Sequence, residues 1–360
     1  MLFRSFVTQE DVFAVVEKVL QSTFEKFGKE KMEPAPFRRI PYREAMLKYG
    51  SDKPDLRNPI VMRDATEFFR ASGFKAFAEA VANGATVRAI PVKGIKGQPR
   101  SFFDKMVAFA QEQGAKGLAY LVWDGATVKG PIAKFLTPDD LTKLAELGGM
   151  TDGDVMFFMC DQPLNTNRIS GAIRTKLGND LGLLEKGVYR FCWIVDFPMF
   201  ERDEETGDII FSHNPFSMPQ GGMDALVTKD PLDILAYQYD VVCNGVELSS
   251  GAIRNHRPDV MLKAFDIAGY DPEVVENKFP ALFNAFKYGA PPHGGIAPGV
   301  DRMVMLLSGT DNIREVIAFP MNQRAQDLMM NAPCEITEKQ WRELHIKTRI
   351  QSGVGQIALC

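Results

Sequence analysis

The spacing of apolar residues predicts helices at the start of the chain. Apolar positions recur three or four residues apart, which is the period of one helix face, at Val12, Val15, Val16, Val19 and Leu20. Thr8 is a good N-cap with Asp11 at the third helical position, and Gly28 is a typical stop. A second helix is predicted over residues 42–49. The run 51–59 follows with two prolines and mixed charge, which predicts a loop or linker.

Residues 60–160 show a different alternation of patterns. Helical spacing is predicted over 65–71, 74–82, 101–114 and 137–147, and short apolar runs predict strands over 86–92, 117–123 and 154–160. Strands separated by helices are typical of a compact α+β module. Since this stretch is long enough to fold alone, we expect it to be an insertion.

After residue 160 the pattern favours an antiparallel sheet. A helix is predicted over 167–178 and a long strand over 187–200, in which Pro198 ends or bulges the strand. An acidic turn over 201–207, a return strand over 209–212, a further strand over 238–248 and a helix over 264–286 follow. Consecutive strands joined by short turns predict an antiparallel α+β fold and not a doubly wound one.

Composition excludes several classes of protein. The net charge of −4 and pI near 5.7 argue against binding to nucleic acid through a broad basic field, although a local patch stays compatible. Five scattered cysteines without a Cys-x-x-Cys pair argue against structural zinc and suit a reducing cytoplasm. No apolar run reaches the length of a membrane helix, and the first residues lack the apolar core of a signal peptide.

Two carboxylates are candidates for binding Mg²⁺. Asp240 and Glu247 bracket an apolar segment, and carboxylates at the ends of a buried strand can hold Mg²⁺ beside phosphates. Their spacing of seven would place them on opposite faces of a regular strand, so a turn or bulge at Asn244-Gly245 would have to restore a common face. The alternative interpretation is a pair of solvated carboxylates.

Arg254 and His213 are candidates for contacts with an anionic or polar ligand. The small residues 249–252 could form a floor beneath a ligand, with the guanidinium of Arg254 pairing with a carboxylate above it. A surface arginine at the start of a helix is the alternative. His213 lies between aromatic residues, and the alternative there is a turn held by Asn214 and Pro215 with a capped or core-edge histidine.

The stretch 294–307 is the most informative in the sequence. Its glycines and small residues let a ligand approach the backbone, and Arg302 then opens the apolar run 303–307, which we expect to be buried. A strand running into a helix with one arginine at the junction resembles motif 3 of class II aminoacyl-tRNA synthetases. An ordinary buried helix with an arginine at its rim is the alternative. The chain shows no P-loop, dinucleotide fingerprint, nucleophile elbow or H-E-x-x-H motif.

Several longer segments resemble bacterial-type aspartyl-tRNA synthetases of class IIb. They are Tyr49-Gly-Ser-Asp-Lys-Pro-Asp-Leu-Arg57, Gly114-Ala-Lys-Gly-Leu-Ala-Tyr120, Trp193-Ile-Val-Asp-Phe-Pro-Met-Phe200, Phe211-Ser-His-Asn-Pro-Phe216, Tyr288-Gly-Ala-Pro-Pro-His293 and Gly309-Thr-Asp-Asn-Ile-Arg-Glu-Val-Ile-Ala-Phe-Pro320. The resemblance implies the antiparallel-sheet catalytic domain of class II synthetases, here incomplete, over 1–59 and 161–360, with motif 3 in the second part. It implies an inserted GAD-like domain over 60–160.

The resemblance also implies an activity and site residues. The family adenylates aspartate with ATP and Mg²⁺ and transfers it to the 3′ end of tRNA, as a cytoplasmic homodimer. By this likeness Arg254 and His213 would bind aspartate, and Asp240 and Glu247 would hold Mg²⁺. ATP would contact Glu247, Gly299, Asp301 and Arg302, and catalysis would depend mainly on Arg302 and Glu247.

The resemblance is incomplete at the start of the chain. The anticodon-binding domain, motif 1 and motif 2 of the family have no counterpart in this sequence, including the motif 2 arginine that grips the α-phosphate. We therefore expect a lone chain to be impaired in adenylation. Two alternatives stay open, namely a truncated paralogue that serves as a binding or regulatory module, and a small-molecule ligase that works without tRNA.

Overall fold

The computed structural model describes residues 2–347 of the 360. Contacts among these residues divide the chain after Pro298 into two compact units. The first unit holds both of the larger sheets.

The strands of the described residues are short, and all of them lie in the first unit. In chain order they are β1 (Leu2–Ser5), β2 (Lys31–Met32), β3 (Arg38–Pro41), β4 (Arg63–Asp64), β5 (Thr86–Val92), β6 (Ala119–Asp124), β7 (Thr127–Lys129), β8 (Val155–Asp161), β9 (Val188–Tyr189), β10 (Phe191–Val195), β11 (Phe197–Pro198), β12 (Phe200–Arg202), β13 (Ile209–Phe211), β14 (Leu235–Ala236), β15 (Gln238–Cys243), β16 (Val246–Arg254) and β17 (His293–Pro298).

Helices precede, separate and follow these strands. In chain order they are α1 (Gln9–Phe27), α2 (Tyr42–Tyr49), α3 (Thr66–Arg70), α4 (Lys75–Ala82), α5 (Arg100–Glu112), α6 (Pro138–Gly148), α7 (Pro163–Asp180), α8 (Gly222–Thr228), α9 (Pro258–Ile267), α10 (Pro272–Lys278), α11 (Pro280–Lys287), α12 (Val300–Ser308) and α13 (Glu338–Glu343). Within residues 2–347, none of them combines the length and the hydropathy needed to cross a membrane.

The first sheet has six strands in the spatial order β1-β17-β16-β15-β10-β3. Every neighbouring pair is antiparallel except β3 with β10, so the predicted antiparallel α+β fold is confirmed. All six strands come from residues before 60 or after 187, and the segment between them does not enter this sheet.

Helix α1 covers one face of the first sheet. The predicted cap is present, because Thr8 and Asp11 form a reciprocal capping box, and Gly28 ends the helix. Phe13 stacks on Trp193 with ring centroids 4.0 Å apart. Buried Glu17 accepts hydrogen bonds from the indole Nε1 of Trp193 at 2.9 Å and from the backbone N–H of Phe37 at 3.1 Å. These contacts leave the opposite face of the sheet for other partners.

The second sheet has five strands in the order β4-β5-β8-β6-β7, all from residues 63–161. Helices α5 and α7 pack on one face, and α3, α4 and α6 pack on the other. Helix α7 follows the predicted insertion, yet Ile169, Ile173 and Leu177 belong to the same core as β5 and β8. The domain boundaries at 59/60 and 160/161 stay predictions.

Two predicted strands are divided in the structure. The strand predicted over 238–248 is wrong, because Asn244 and Gly245 form a turn with φ of 51° and 84° between β15 and β16. The strand predicted over 187–200 is also wrong as a single element, since it is broken into β9, β10, β11 and the start of β12. Asp196 takes a positive φ of 55° between β10 and β11, which a regular strand does not tolerate.

The predicted helix over 264–286 is three helices. Pro272 and Pro280 each stand at the first position of a new helix, where the missing N–H costs nothing. Each proline would interrupt the hydrogen bonds of one continuous helix. The predicted helix over 167–178 is confirmed but begins earlier and ends later, as α7.

In the second unit, α12 begins after Gly299 and ends at Gly309 in the left-handed conformation. The expectation that the run 303–307 is buried is wrong. Met305 is its only buried member, and the side chain of Val304 is 43% exposed.

Candidate functional site

One face of the first sheet brings three of the predicted residues together. In the β15–β16 hairpin Val242 lies opposite Glu247, and Asp240 lies opposite Ser250. Residues directly opposite each other in a sheet point to the same side, as do residues two apart in one strand. Asp240 and Glu247 therefore share one face, as predicted if the Asn244-Gly245 segment turns the chain.

A bulge keeps Arg254 on that face as well. The pairing shifts between Val241 and Val242, which leaves Leu248 without a direct partner. The extra residue changes the alternation of β16, so that Ser250, Ala252 and Arg254 lie on the side of Asp240. In an unbulged strand Arg254 would point into the face that α1 covers.

The same face is closed at one end and open at the other. Near β3 and β10 it is covered by α2, where Ile40, Ile194 and Val242 are buried with Ala45 and Tyr49. Toward β17 it is open, since Ser250 on β16 is exposed and Arg254 is half-buried. A ligand therefore has access to the part of the face where the charged residues lie.

Asp240 is a buried carboxyl with an incomplete set of partners. Asp240 is 4% exposed, and its Oδ1 has no hydrogen-bond partner among the described residues. Burial, together with the charges of Glu247 and Asp52, raises the pKa of Asp240 to about 7, although Ser250 and Lys53 oppose the rise. Such a group exchanges its proton for a cation readily near neutral pH.

Lys53 and Asp52 join the carboxylates, and sequence reasoning missed them. The Nζ of Lys53 lies 3.4 Å from Oε2 of Glu247 and 3.4 Å from Oδ2 of Asp52. Burial lowers the pKa of Lys53, but the two carboxylates outweigh burial and raise it overall. Both residues lie in the segment that we interpreted as a linker, although the run 49–57 carried part of the family resemblance.

His213 lies in the same electrostatic neighbourhood. Its Nδ1 is 2.8 Å from Oγ of Ser212, and its ring packs edge-on against Phe197 and Tyr42 at 4.9 Å and 5.7 Å between centroids. Although part of the residue faces solvent, burial of the ring lowers the pKa of His213, and Asp52 opposes this shift. The lowered pKa favours the neutral ring, and the contacts with Phe197 and Tyr42 hold its orientation.

Arg254 is the last residue of β16, where it lies opposite His293 of β17. Its backbone also forms an isolated antiparallel β-bridge with Ser217. The alternative of a surface arginine at a helix start is wrong, because the residue belongs to a strand and is half-buried. Burial lowers the pKa of Arg254, and no carboxylate of the described residues forms an ion pair with its guanidinium. A half-buried guanidinium of this kind favours an anionic ligand.

The remaining predicted residues lie in the second unit. Gly299 precedes α12, and Asp301 and Arg302 stand exposed in its first turn. The predicted junction of strand, arginine and apolar helix is confirmed, since β17 leads directly to α12.

The donor set fits Mg²⁺ better than a protein-enclosed metal. In the part of the chain that the structure describes, no three His, Cys, Asp or Glu side chains gather as a metal site. Asp240 and Glu247 supply carboxylate oxygens on one face, and Mg²⁺ prefers one or two carboxylates with waters and substrate phosphates completing its shell. The unpartnered Oδ1 of Asp240 agrees with this arrangement.

This chain is similar in sequence to known proteins. A family model described as tRNA synthetases class II (D, K and N) matches residues 2–323. An aspartate--tRNA(Asp/Asn) ligase of Paramagnetospirillum magneticum is 62% identical over 344 residues, which are 95% of this chain and 39% of the relative. An aspartate--tRNA(Asp/Asn) ligase of Acidiphilium cryptum is 60% identical over 343 residues, which are 95% of this chain and 58% of the relative.

An aspartate--tRNA ligase of Streptomyces coelicolor is 58% identical over 346 residues, which are 96% of this chain and 58% of the relative. The chain thus spans between two fifths and three fifths of the length of these relatives. Since the family model covers all but the first residue and the last 37 of the 360, the chain belongs to the class II tRNA synthetases of the aspartate, lysine and asparagine group.

Proposed function

We propose that this chain forms most of the catalytic part of an aspartate–tRNA ligase. The observation that carries the proposal is the half-buried guanidinium of Arg254, which lies on one sheet face with the carboxylates Asp240 and Glu247. An unpaired guanidinium supplies a bidentate partner for the side-chain carboxylate of aspartate. Asparagine lacks the second carboxylate oxygen and the charge, so the same site disfavours it.

The carboxylate pair supports a role in ATP binding. Asp240 and Glu247 would hold Mg²⁺, which when bound supplies positive charge beside the ATP phosphates. Lys53 contributes a further positive charge on the same face through its contact with Glu247. Gly299, Asp301 and Arg302 would add contacts to ATP from the start of α12, with Arg302 carrying the charge. We infer these roles from the family resemblance.

The reaction needs no nucleophile from the protein. An oxygen of the aspartate α-carboxylate attacks the α-phosphorus of ATP, and the bond to the leaving pyrophosphate breaks. A terminal ribose hydroxyl of tRNA then attacks the activated carbonyl, and AMP leaves. Catalytic residues such as Arg302 and Glu247 act by positioning the reactants and offsetting charge, and His213 fixes the orientation of the amino acid.

The wider assignments follow from the family. We infer that aspartate, ATP and tRNA are the substrates of the whole protein, that it acts as a homodimer, and that it works in the cytoplasm. The names of the relatives differ in whether the charged tRNA is that of aspartate alone or of aspartate and asparagine. This chain is proposed to activate aspartate in either case.

A hybrid protein provides the test. In the Acidiphilium cryptum relative, the segment that matches this chain would be replaced by this chain, which gives a hybrid ligase of full length. Arg254→Leu in the hybrid should lower kcat/KM for aspartate in ATP–pyrophosphate exchange by at least about a thousandfold, because a charge-assisted bidentate contact is lost and the aspartate carboxylate is left buried without a partner.

Two further variants control this test. Arg257→Gln removes an exposed guanidinium three residues away, which pairs with Asp259, and should leave exchange unchanged. Arg254→Lys retains the positive charge but lacks the paired N–H donors of a guanidinium, so it should lower kcat/KM by an intermediate amount. Near-normal aspartate kinetics in Arg254→Leu, with an unchanged melting temperature, would remove Arg254 from the site.

A further inference from the structure

The loop of residues 51–59, here called the strap, connects α2 to the second sheet and passes the candidate site. It presents Asp52 and Lys53 to Glu247, with Nζ of Lys53 at 3.4 Å from each carboxylate. Further along, it lies against the β15–β16 turn, since a Cβ added at Gly245 would be 3.3 Å from the Cβ of Asp55. The strap has no helix or strand of its own to hold this position.

Arg174 of α7 holds the strap from behind. Its Nε donates to the carbonyl of Ile60 at 2.7 Å, and its Nη2 donates to the carbonyls of Asp55 and Asn58 at 3.0 Å and 2.9 Å. The residue is 2% exposed, and its guanidinium lies over the ring of Tyr49 at 5.0 Å. One planar group therefore fixes three backbone positions at the end of the strap.

Asn58 of the strap in turn donates a hydrogen bond to the backbone of α7. Its Nδ2 donates to the carbonyl of Arg174 at 2.9 Å, and its Oδ1 accepts from the N–H of Ile60 at 3.1 Å. Gly178 leaves space for this side chain, since a Cβ there would be 2.3 Å from Nδ2 of Asn58. Strap and helix are thus joined by hydrogen bonds that each partner both gives and receives.

The cost of burying Arg174 indicates that these bonds matter. Burial lowers the pKa of Arg174, and the charge of Asp55 offsets only part of this effect, so that the pKa falls to about 10. The carbonyl oxygens of Asp55 and Asn58 in the strap, and of Ile60 just beyond it, accept its hydrogen bonds. A buried charge satisfied mainly by carbonyls is expensive to retain for stability alone.

Helix α7 also belongs to the core of the second sheet. Ile169, Ile173 and Leu177 are fully buried with Phe157 and Met159 of β8. The helix that carries Arg174 is consequently fixed to the inserted sheet on one side and to the strap on another.

We propose that Arg174 is a positioning residue that holds the strap so that Asp52 and Lys53 stay beside Glu247, which links the inserted sheet to the substrate site. Its effect on catalysis rests on the proposed function. Its effect on the strap does not, and can be measured without any substrate.

The first measurement is hydrogen exchange of this chain. The N–H groups of Arg57 and Ile60 are bonded inside the strap junction, to Asp55 and Asn58. In Arg174→Lys, which retains the buried charge but loses the fork, exchange of the segment 51–60 should accelerate by about tenfold or more, with α7 and β8 unchanged. Lys176→Gln, on the same helix, removes a side chain that contacts Asp180 and the ring of Phe109, both outside the strap, and should leave exchange of the strap unchanged.

The second measurement is a double-mutant cycle in the hybrid ligase. Arg174→Lys and Lys53→Met should each lower kcat/KM for aspartate activation by about tenfold, and the double variant should be no worse than about tenfold, because both act through the same contact. Independent roles would multiply the losses to about a hundredfold.

The outcomes separate the two proposals. Unchanged strap exchange in a folded Arg174→Lys chain overturns the positioning role, whatever the hybrid does. Multiplied losses in the cycle also overturn it. If hydrogen exchange of the strap is faster in Arg174→Lys but the hybrid activates no aspartate, the contact between Arg174 and the strap is supported. That result contradicts the proposed function instead.

Discussion

Asp240 shows how one buried side chain makes the stability of the fold depend on pH. Its pKa is raised from 3.8 to about 7 by burial and by its neighbours Glu247 and Asp52. Between these two values the folded state binds more protons than the unfolded state. The free energy of unfolding contributed by this residue is therefore highest at acidic pH and is lost as the pH rises through 7.

Asp240→Asn should remove this loss. The comparison is made by urea denaturation in the presence of a chelator. The free energy of unfolding of the variant minus that of the parent chain should rise by about 2 to 3 kcal/mol from about pH 5 to about pH 8. Asp259, which is exposed and pairs with Arg257, offers a control, because this arginine lowers its pKa. Asp259→Asn should therefore show no such gain in free energy of unfolding. A difference between Asp240→Asn and the parent that does not change with pH would contradict the assigned titration.

At the scale of elements, sequence patterns predicted the helices better than the strands. The bounds of α2 and β5 and the caps of α1 follow directly from residues such as Thr8 and Gly50, whose chemistry is local. The β15–β16 hairpin was predicted as one strand, because Asn244-Gly245 interrupts an apolar run without changing its alternation. The bulge at Leu248, which places Arg254 on the site face, depends on cross-strand pairing that a single strand does not record.

The contact of α2 with α7 is another feature invisible in the sequence alone. Gly50 ends α2 in the left-handed conformation, and Gly171 of α7 lies directly against it. A Cβ at Gly171 would be 2.5 Å from the carbonyl oxygen of Gly50 and 2.9 Å from its carbon, and backbone atoms cannot give way as a side chain does.

Gly171→Ala should therefore destabilise the fold by about 1 to 3 kcal/mol through overpacking, even though alanine is the better helix former. Gly97→Ala is the matched control, because a Cβ there has no neighbour within 4 Å, and it should change the free energy of unfolding by less than about 0.5 kcal/mol. The two are compared by thermal and urea denaturation. A neutral Gly171→Ala would mean that α2 and α7 are not packed this closely.

At the scale of the whole molecule, the family and fold class could be predicted from sequence, because several long segments resemble those of one family along most of the chain. The candidate site was accessible in part. Asp240, Glu247, His213 and Arg254 were singled out as residue types that suit the proposed ligands, whereas Lys53 and Asp52 were not, because the loop 51–59 has no periodicity. Their importance comes from contacts across more than 190 residues of chain, such as that between Lys53 and Glu247.

The proposed function is tested most directly by amino-acid specificity in ATP–pyrophosphate exchange. The hybrid ligase should support exchange with aspartate at a rate within about tenfold of the parent relative, and should discriminate against asparagine and glutamate by at least about a thousandfold. Exchange supported equally by asparagine, or none from a folded hybrid when the parent relative is active under the same conditions, would contradict the assignment of this chain to aspartate activation.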